Sequence, residues 1–426
     1  MIKNGFISYT VKYFAAVSLL TVLLFVSALI PRKMLQSNLL SSARFLCQGE
    51  MFDEVWDGVP ASEYDRYADS ILLNIAWNYD SEHPVRSVME SSYYHSDTQN
   101  ENLNLYDAVT KELGDNYEYL RYWHGSIVLV RPLLMIMPIQ GMYIFLGAVL
   151  LILSLTLIWR LIRKKEAALA TGLSLGLILT YSWFVPFCLE YIWTFLIMLT
   201  VSHLILHKDM DDHKFITILM ISGIVTAYMD FLTTETLTLT VPLIIAVKIR
   251  AREDDRLFAL KSVIGWGVGY VGMFVLKWIL AAVFLGPDAV TSVLTHAEER
   301  TGGLVLDEAY FRFLGPIGKN LLTMMPFSLG SIGVITGCIL LFACIYTGYV
   351  YHGKNIRSKT ILIYTLTAFV PIIRYLAIRN HSVLHFFFTF RALMAVILAL
   401  VMVLYEAADI QLILSVWKKN NGKKRR

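Results

Sequence analysis

Long apolar runs separated by short polar loops dominate this sequence and leave few folds open to it. A membrane-spanning helix needs about 20 apolar residues, and in lipid only helices or closed barrels satisfy their backbone polar groups. The chain is 56% hydrophobic and 16% charged, whereas soluble domains hold about 25% charged residues. We therefore predict an all-α polytopic membrane protein with about ten transmembrane helices. The predicted spans are 10–30, 138–160, 167–185, 187–206, 215–230, 236–249, 261–286, 320–350, 360–378 and 386–408.

One long polar stretch, residues 31–125, interrupts this pattern between the first two runs. It is rich in Asp, Glu, Tyr, Asn and Ser, and within it 32–46 and 67–77 place apolar residues at helical spacing. We therefore predict a large helical loop with amphipathic helices, the first lying on the membrane surface. The predicted domains are a first transmembrane helix (1–30), this loop (31–125), a multispan domain (126–417) and a basic tail (418–426).

The distribution of Lys and Arg predicts the orientation in the membrane. Basic clusters fall in alternating loops, at 160–165, 208–214, 248–256, 354–359 and 418–426. An excess of Lys and Arg in short loops marks the cytoplasmic side. Both termini are therefore predicted to be cytoplasmic at the cell membrane, with 31–125, 287–319 and 379–385 outside. The first run could also be a signal sequence cleaved near 26–28, but its length favours an uncleaved anchor.

Charge and cysteine content narrow the partners. The net charge is only +4, and its basic residues lie in short clusters, so nucleic acid is not an expected partner. Only Cys47 of the four cysteines lies in the polar stretch, which excludes a disulfide within it. A glycine series inside one run, Gly265, Gly267, Gly269 and Gly272, predicts close helix packing.

Two carboxylates sit in an unusual hairpin between two short apolar runs. Asp230 and Glu235 flank a turn whose neighbouring runs, at 1.5 Å per residue, reach about 21–24 Å into a hydrocarbon core of about 30 Å. The turn is therefore expected below the outer membrane surface, where ionisable residues are candidates for function. The alternative is a polar hairpin capped by Thr233 and Thr234.

A basic stretch is expected on the same outer face. Its candidate side chains are Arg374, Arg379, His381, His385 and Arg391. Guanidinium groups suit phosphate oxygens, so this stretch is predicted to bind the phosphate of a lipid-linked substrate. The alternative is that Arg374 or Arg391 pairs with the hairpin carboxylates and holds helices together. The two interpretations are compatible.

Three further residues of 31–125 are candidates for chemistry. Asp65 and Asp69 lie four residues apart, on one face of a predicted helix, and a carboxylate there could act as a general base. His124 follows Tyr122 and Trp123 where the chain enters the membrane. For each residue the alternative is a structural or solvated side chain.

This order of parts resembles the GT-C superfamily of multispan glycosyltransferases. The local likeness is the 122–134 stretch, where His124 occupies the place of a His-Pro-Pro-like motif before the second span. The chain also resembles uncharacterised membrane proteins of bacterial surface-polysaccharide clusters, through 69–74 and 122–125. The resemblance implies a polyprenyl-phosphate sugar donor and a catalytic Asp in the first external loop. Asp53-Glu54 is the literal acidic pair, while Asp65 and Asp69 lie in the better-patterned helix.

The expected function is transfer of a sugar from a polyprenyl-phosphate donor to an external glycan or lipid acceptor. Asp69 or Asp65 would deprotonate the acceptor, and Arg374, Arg379 and His381 would stabilise the departing phosphate. Asp230 and Glu235 would orient the sugar or a guanidinium, and a divalent cation could neutralise the phosphate. The alternative is a flippase for a lipid-linked glycan, without catalysis. Close docking of 31–125 over the cavity would favour the enzyme.

Overall fold

The computed structural model describes residues 2–207, 210–286, 309–350, 352 and 358–408, and it is all-helical, with 75% helix. Six of its helices are long and apolar enough to cross a membrane, which makes this a multi-pass membrane protein. They are Ile7–Ala28, Ile139–Arg163, Arg256–Leu285, Gly330–Val350, Lys359–Ala377 and Phe386–Ala407. The predicted basic tail 418–426 and residues 287–308 of the predicted outer loop lie outside the described residues.

Eighteen α-helices and two short strands follow one another along the described chain. The segment before residue 125 contains α1 (Ile2–Ala28), α2 (Gln36–Leu46), β1 (Phe52–Glu54), β2 (Glu63–Asp65), α3 (Arg66–Asn78), α4 (Pro84–Glu90) and α5 (Glu101–Thr110). The central part contains α6 (Ile127–Leu134), α7 (Ile139–Arg163), α8 (Ala167–Leu179), α9 (Ile192–Ile205), α10 (Asp212–Met229), α11 (Leu237–Arg250) and α12 (Arg256–Leu285). The last part contains α13 (Ala309–Thr323), α14 (Gly330–Val350), α15 (Ser358–Ala377), α16 (Arg379–Leu384), α17 (Phe386–Thr389) and α18 (Met394–Ala407).

The polar stretch is folded rather than extended. Helices α2 and α3 confirm the two helices predicted from apolar spacing. The antiparallel hairpin of β1 and β2, which pairs Phe52 with Asp65 and Glu54 with Glu63, has no counterpart in the prediction. Since the strands have only three residues each, the alternation on which strand prediction depends is too short to register.

Buried cations fasten this stretch to the membrane helices. The Lys277 ammonium of α12 donates to the carbonyl oxygens of Val88 and Met89, at 3.0 and 2.9 Å, in the last turn of α4. The Arg131 guanidinium of α6 donates to the carbonyl oxygens of Ser27, at 2.9 Å, and of Ala76. Because helix C-terminal carbonyls carry partial negative charge, these contacts satisfy cations that have no exposed surface.

Helices α10 and α12 touch through their backbones. A Cβ atom at Gly269 would lie 2.1 Å from the Met220 carbonyl oxygen, and one at Gly223 would lie 2.2 Å from that of Trp266. The prediction of close packing is therefore confirmed for Gly269. A Cβ atom at Gly267 would have no other atom within 4 Å, so this residue faces open space instead.

Two predicted spans are interrupted in the structure. The single span predicted over 320–350 is broken between α13 and α14, where Pro326 cannot donate a backbone hydrogen bond and Gly330 adopts a positive φ of 69°. The span predicted over 187–206 begins as a helix only at Ile192. Prediction of spans from apolar composition missed both breaks, because the interrupting residues are themselves mostly apolar.

Candidate functional site

Asp65 and Asp69 are held against residues of the membrane domain. Asp65 caps α3, accepting a hydrogen bond from the Ala68 amide at 2.9 Å and another from the Tyr191 hydroxyl. We call the group formed by Asp65, Asp69, Tyr143, Leu189 and Tyr191 the junction cluster. In it, both Asp69 oxygens are also engaged, by the Leu189 amide at 2.8 Å and by the Tyr143 hydroxyl. The two predicted carboxylates are therefore brought together, and both are buried.

Burial changes the acidity of both carboxyls. Loss of solvation raises the pKa of Asp65 to about 6, although hydrogen bonds from Tyr191 and Ala68 oppose the rise. It raises the pKa of Asp69 to about 8, against hydrogen bonds from Tyr143 and Leu189 and with the help of the Asp65 charge. Perturbed carboxyls of this kind cluster at functional sites.

The raised pKa of Asp69 predicts a pH-dependent stability. Its ordinary pKa is 3.8, so between about pH 4 and 8 the folded protein keeps a proton that the unfolded chain releases. The free energy of unfolding should therefore fall as pH rises through this window, by at most about 1.4 kcal/mol per pH unit. Thermal unfolding in detergent between pH 5 and 8 should show a shallower decline for Asp69→Asn. The exposed Asp57 supplies a control, since Asp57→Asn should keep the wild-type slope; equal slopes in all three proteins would contradict the prediction.

Arg391 reaches the same region from the last membrane helix. Its guanidinium donates to the Ala61 carbonyl oxygen at 2.8 Å and to that of Phe387 at 3.1 Å, while its Nε atom is enclosed without a hydrogen-bond partner. Sequence reasoning missed the neighbouring Glu63, a half-buried carboxyl on β2. The signal that could have identified Glu63 is its spacing of two residues from Asp65, which puts both on one face of a strand.

The hairpin carboxylates and the basic stretch form a second group, which we call the arginine cluster: Asp230, Glu235, Arg374, His381 and Ser382. The Arg374 Nε atom lies 2.8 Å from Glu235 Oε1, and both side chains are less than a tenth exposed. A second guanidinium nitrogen lies 3.2 Å from the Ser382 hydroxyl, and the third lies 3.4 Å from His381 Nδ1. The ion pair anticipated as the alternative for Arg374 is therefore present.

Asp230 closes its own turn. It accepts hydrogen bonds from the Thr233 amide at 3.1 Å and from the Thr233 hydroxyl, so the predicted threonine cap is confirmed at this residue. Thr234 instead meets Thr194 of α9, with 2.6 Å between their hydroxyl oxygens. The turn is thus tied both to itself and to the helix that follows Tyr191.

Aromatic contacts connect the two clusters through Phe388. Its ring centroid lies 4.7 Å from that of Tyr191 in the junction cluster, and 5.3 and 5.9 Å from those of His385 and His381. Arg379 and His385, unlike Arg374 and His381, are half-buried. Phe388 therefore joins Tyr191 of the junction cluster to the two predicted imidazoles, His381 and His385.

His124 lies beside this assembly rather than within it. Its ring packs 4.9 Å from both Tyr119 and Phe231, the residue after Asp230. Its Nε2 atom lies 3.0 Å from the Tyr119 carbonyl oxygen, and its backbone adopts a positive φ of 52°. Burial lowers the pKa of His124 to about 3, and the charge of Lys277 adds to the effect. A neutral imidazole enclosed by aromatic rings favours the structural interpretation.

In the part of the chain that the structure describes, no three His, Cys, Asp or Glu side chains meet in a group that could hold a metal ion. The divalent cation named above as an alternative way to neutralise the phosphate is not tested by this finding. Comparison with known proteins gives no match to a family model, a curated protein or a solved structure.

Proposed function

We propose that this protein is a membrane glycosyltransferase that moves a sugar from a polyprenyl-phosphate donor to an external glycan or lipid acceptor during assembly of cell-envelope polysaccharide. The observation that carries the proposal is the docking of 31–125 onto the membrane helices, which encloses two acidic side chains against Tyr143 and Tyr191. A transporter for the same lipid has no need of a folded polar segment joined so closely to its membrane domain.

The basic stretch supplies the electrostatic part of the proposed reaction. As the bond between sugar and phosphate breaks, negative charge grows on the lipid phosphate, and donors fixed beforehand stabilise it. Arg374 is buried against Glu235, whereas Arg379 and His385 are only half-buried. Their greater exposure makes Arg379 and His385 the better candidates for phosphate contact. Arg374 and His381 would hold their turn in place, and Asp230 and Glu235 would fix Arg374.

The proposed site lies at the outer side of a bundle of about ten spans with cytoplasmic termini. Helices α8, α9 and α11 contain 13, 14 and 14 residues, about 20 Å each at 1.5 Å per residue. They are shorter than a hydrocarbon core of about 30 Å, whereas α12 has 30 residues. The turns after α8 and before α11 would then line a depression beneath 31–125, within reach of a membrane-bound phosphate.

A flippase for a lipid-linked glycan is the second candidate, because short helices with polar turns also occur in transporters. The two functions differ in what happens to the donor. An enzyme separates the sugar from the lipid phosphate, while a flippase moves the intact molecule to the other leaflet.

The test is sugar transfer by the purified protein in nanodiscs. Radiolabelled polyprenyl-phosphate hexoses and envelope lipid acceptors would be supplied together, and labelled product separated from donor. We expect transfer by the wild type and a loss of at least about 100-fold in Arg379→Ala, since removing one charge-stabilising donor costs about that much. The exposed Arg86 is a matched control, and Arg86→Ala should remain active. Transport of intact donor into vesicles without any transfer would favour the flippase.

A further inference from the structure

The β1–β2 hairpin carries a carboxyl that neither the resemblance nor the predicted helix face singles out. Glu63 and Asp65 are two residues apart on β2, so their side chains leave the same face of the strand. Asp65 is 4% exposed and Asp69 is fully enclosed, with their oxygens committed to groups of the protein. Glu63 is half-buried. Among these three carboxyls, Glu63 is the one that an external hydroxyl can reach.

We propose that Glu63 is the catalytic carboxyl that accepts the proton of the acceptor hydroxyl, with Asp65 and Arg391 as its positioning residues. This inference rests on the proposed glycosyl transfer and deepens it by assigning the base. It assigns the reaction to Glu63 at the start of β2, rather than to Asp65 at the end of that strand or to Asp69 in α3.

Arg391 is the second observation that bears on Glu63. Its side chain is 2% exposed and donates to Ala61, two residues before Glu63, yet its Nε–H has no acceptor. The contact with Ala61 fixes the backbone that leads into β2, and the Arg391 charge acts on Glu63 from the enclosed side.

The charges around Glu63 suit a group that exchanges a proton near neutrality. Burial, with the charges of Asp65 on the same strand and Glu54 on β1, raises the pKa of Glu63 to about 8, although the charge of Arg391 opposes the rise. A general base works best when its pKa lies near the working pH. A fully solvated glutamate would be too weak a base, and a carboxyl as enclosed as Asp69 could not meet the substrate.

The proposed step transfers one proton to Glu63 and replaces one bond at the anomeric carbon of the donor sugar by another. The ionised Glu63 takes the acceptor hydroxyl proton while that oxygen forms a bond to the anomeric carbon of the donor sugar. The bond between this carbon and the phosphate oxygen breaks, and its electron pair stays on the released polyprenyl phosphate. The proton on Glu63 then passes to water, which returns the carboxylate.

The experiment compares the pH dependence of transfer in Glu63→Gln, Glu63→Asp and Glu54→Gln, with the polyprenyl-phosphate hexose that the wild type uses. Wild-type turnover should rise between pH 6 and 9 with a midpoint near 8. Glu63→Gln should lose at least about 100-fold and the pH dependence, and Glu63→Asp should recover part of both. Glu54 lies directly across the ladder from Glu63, so Glu54→Gln should lower the midpoint. Glu82, exposed in the same polar stretch, is the matched control: Glu82→Gln should keep wild-type turnover and midpoint.

Labelling with an apolar carbodiimide, which modifies protonated carboxyls, gives a readout that does not depend on turnover. Mass spectrometry should find Glu63 modified at pH 6 and protected at pH 9, with Asp69 unmodified at both. If wild-type protein transfers sugar while Glu63→Gln matches it, or if Glu63 is never modified, the inference alone fails. If wild-type protein transfers none of the donors, the proposed function fails and the catalytic role of Glu63 fails with it.

Discussion

Arg374→Ala will destabilise the folded protein by about 3–5 kcal/mol, the usual result of removing one partner of a buried ion pair. Arg374 and Glu235 are 8% and 5% exposed at their side chains, and Arg374 Nε lies 2.8 Å from Glu235 Oε1. Without the guanidinium, the Glu235 carboxylate would stay buried beside Asp230 with no cation to balance it. The thermal unfolding midpoint of the purified protein in detergent should therefore fall sharply, and the yield of folded protein with it.

A double variant separates loss of the pair from loss of packing. Arg374→Met retains most of the side-chain volume, and Glu235→Gln removes the charge that Arg374 would otherwise balance. Because replacing both members of a buried pair is often nearly neutral, the combined variant should recover most of the midpoint lost in Arg374→Met alone. A wild-type midpoint in Arg374→Ala would contradict the ion pair as the structure has it.

The second large effect is expected at the crossing of α10 and α12. Gly269→Leu would force a side chain into the space where a Cβ would already lie 2.1 Å from the Met220 carbonyl oxygen. Overpacking by a methylene or two costs about 1–3 kcal/mol, and here the obstacle is backbone that cannot rotate away. We expect more than about 3 kcal/mol of destabilisation and little monodisperse protein on size exclusion.

The same helix supplies the control for this prediction. Gly267 lies two residues away, and no atom comes within 4 Å of the position that a Cβ would occupy there, so Gly267→Leu should keep a near-wild-type profile. It adds the same side chain to the same helix and differs only in what that side chain meets. If Gly269→Leu and Gly267→Leu lose the same amount of stability and of monodisperse protein, the cause would be altered membrane insertion and not the contact between α10 and α12.

The membrane character and the helices of 31–125 could be predicted from sequence because they depend on local patterns. Apolar spacing was enough for α3, whose limits in the structure, Arg66–Asn78, lie within a residue of the predicted 67–77. The breaks at 180–191 and 324–329 could not be predicted in this way. Their residues are mostly apolar, and the turns are stabilised by contacts with distant elements, such as the Tyr191 hydroxyl bonded to Asp65.

The candidate site was predictable as residue types but not as an assembly. Asp65 and Tyr191 lie 126 residues apart in sequence, and Glu235 and Arg374 lie 139 apart, so neither pairing has a local signature. Glu63 could not be identified from sequence, because its proposed catalytic role depends on its being half-buried and on the charge of Arg391 from the last span. A sequence marks such a glutamate only as one of many acidic residues in a polar stretch.

Lys277 also constrains the order in which the protein is made. The residues that accept its hydrogen bonds, Val88 and Met89, leave the ribosome about 190 residues earlier. The polar stretch 31–125 is therefore synthesised long before the lysine that joins it to α12. A charged lysine inside an inserting helix is costly, about 2.5–3.5 kcal/mol at the helix centre. Lys277 lies eight residues from the end of α12, and the end of α4 offsets its cost only if α4 is already folded at the membrane. The polar stretch 31–125, folded early, would thus provide the binding site that receives α12. Slowing the folding of 31–125 should therefore impair the insertion of α12, although this helix is translated much later.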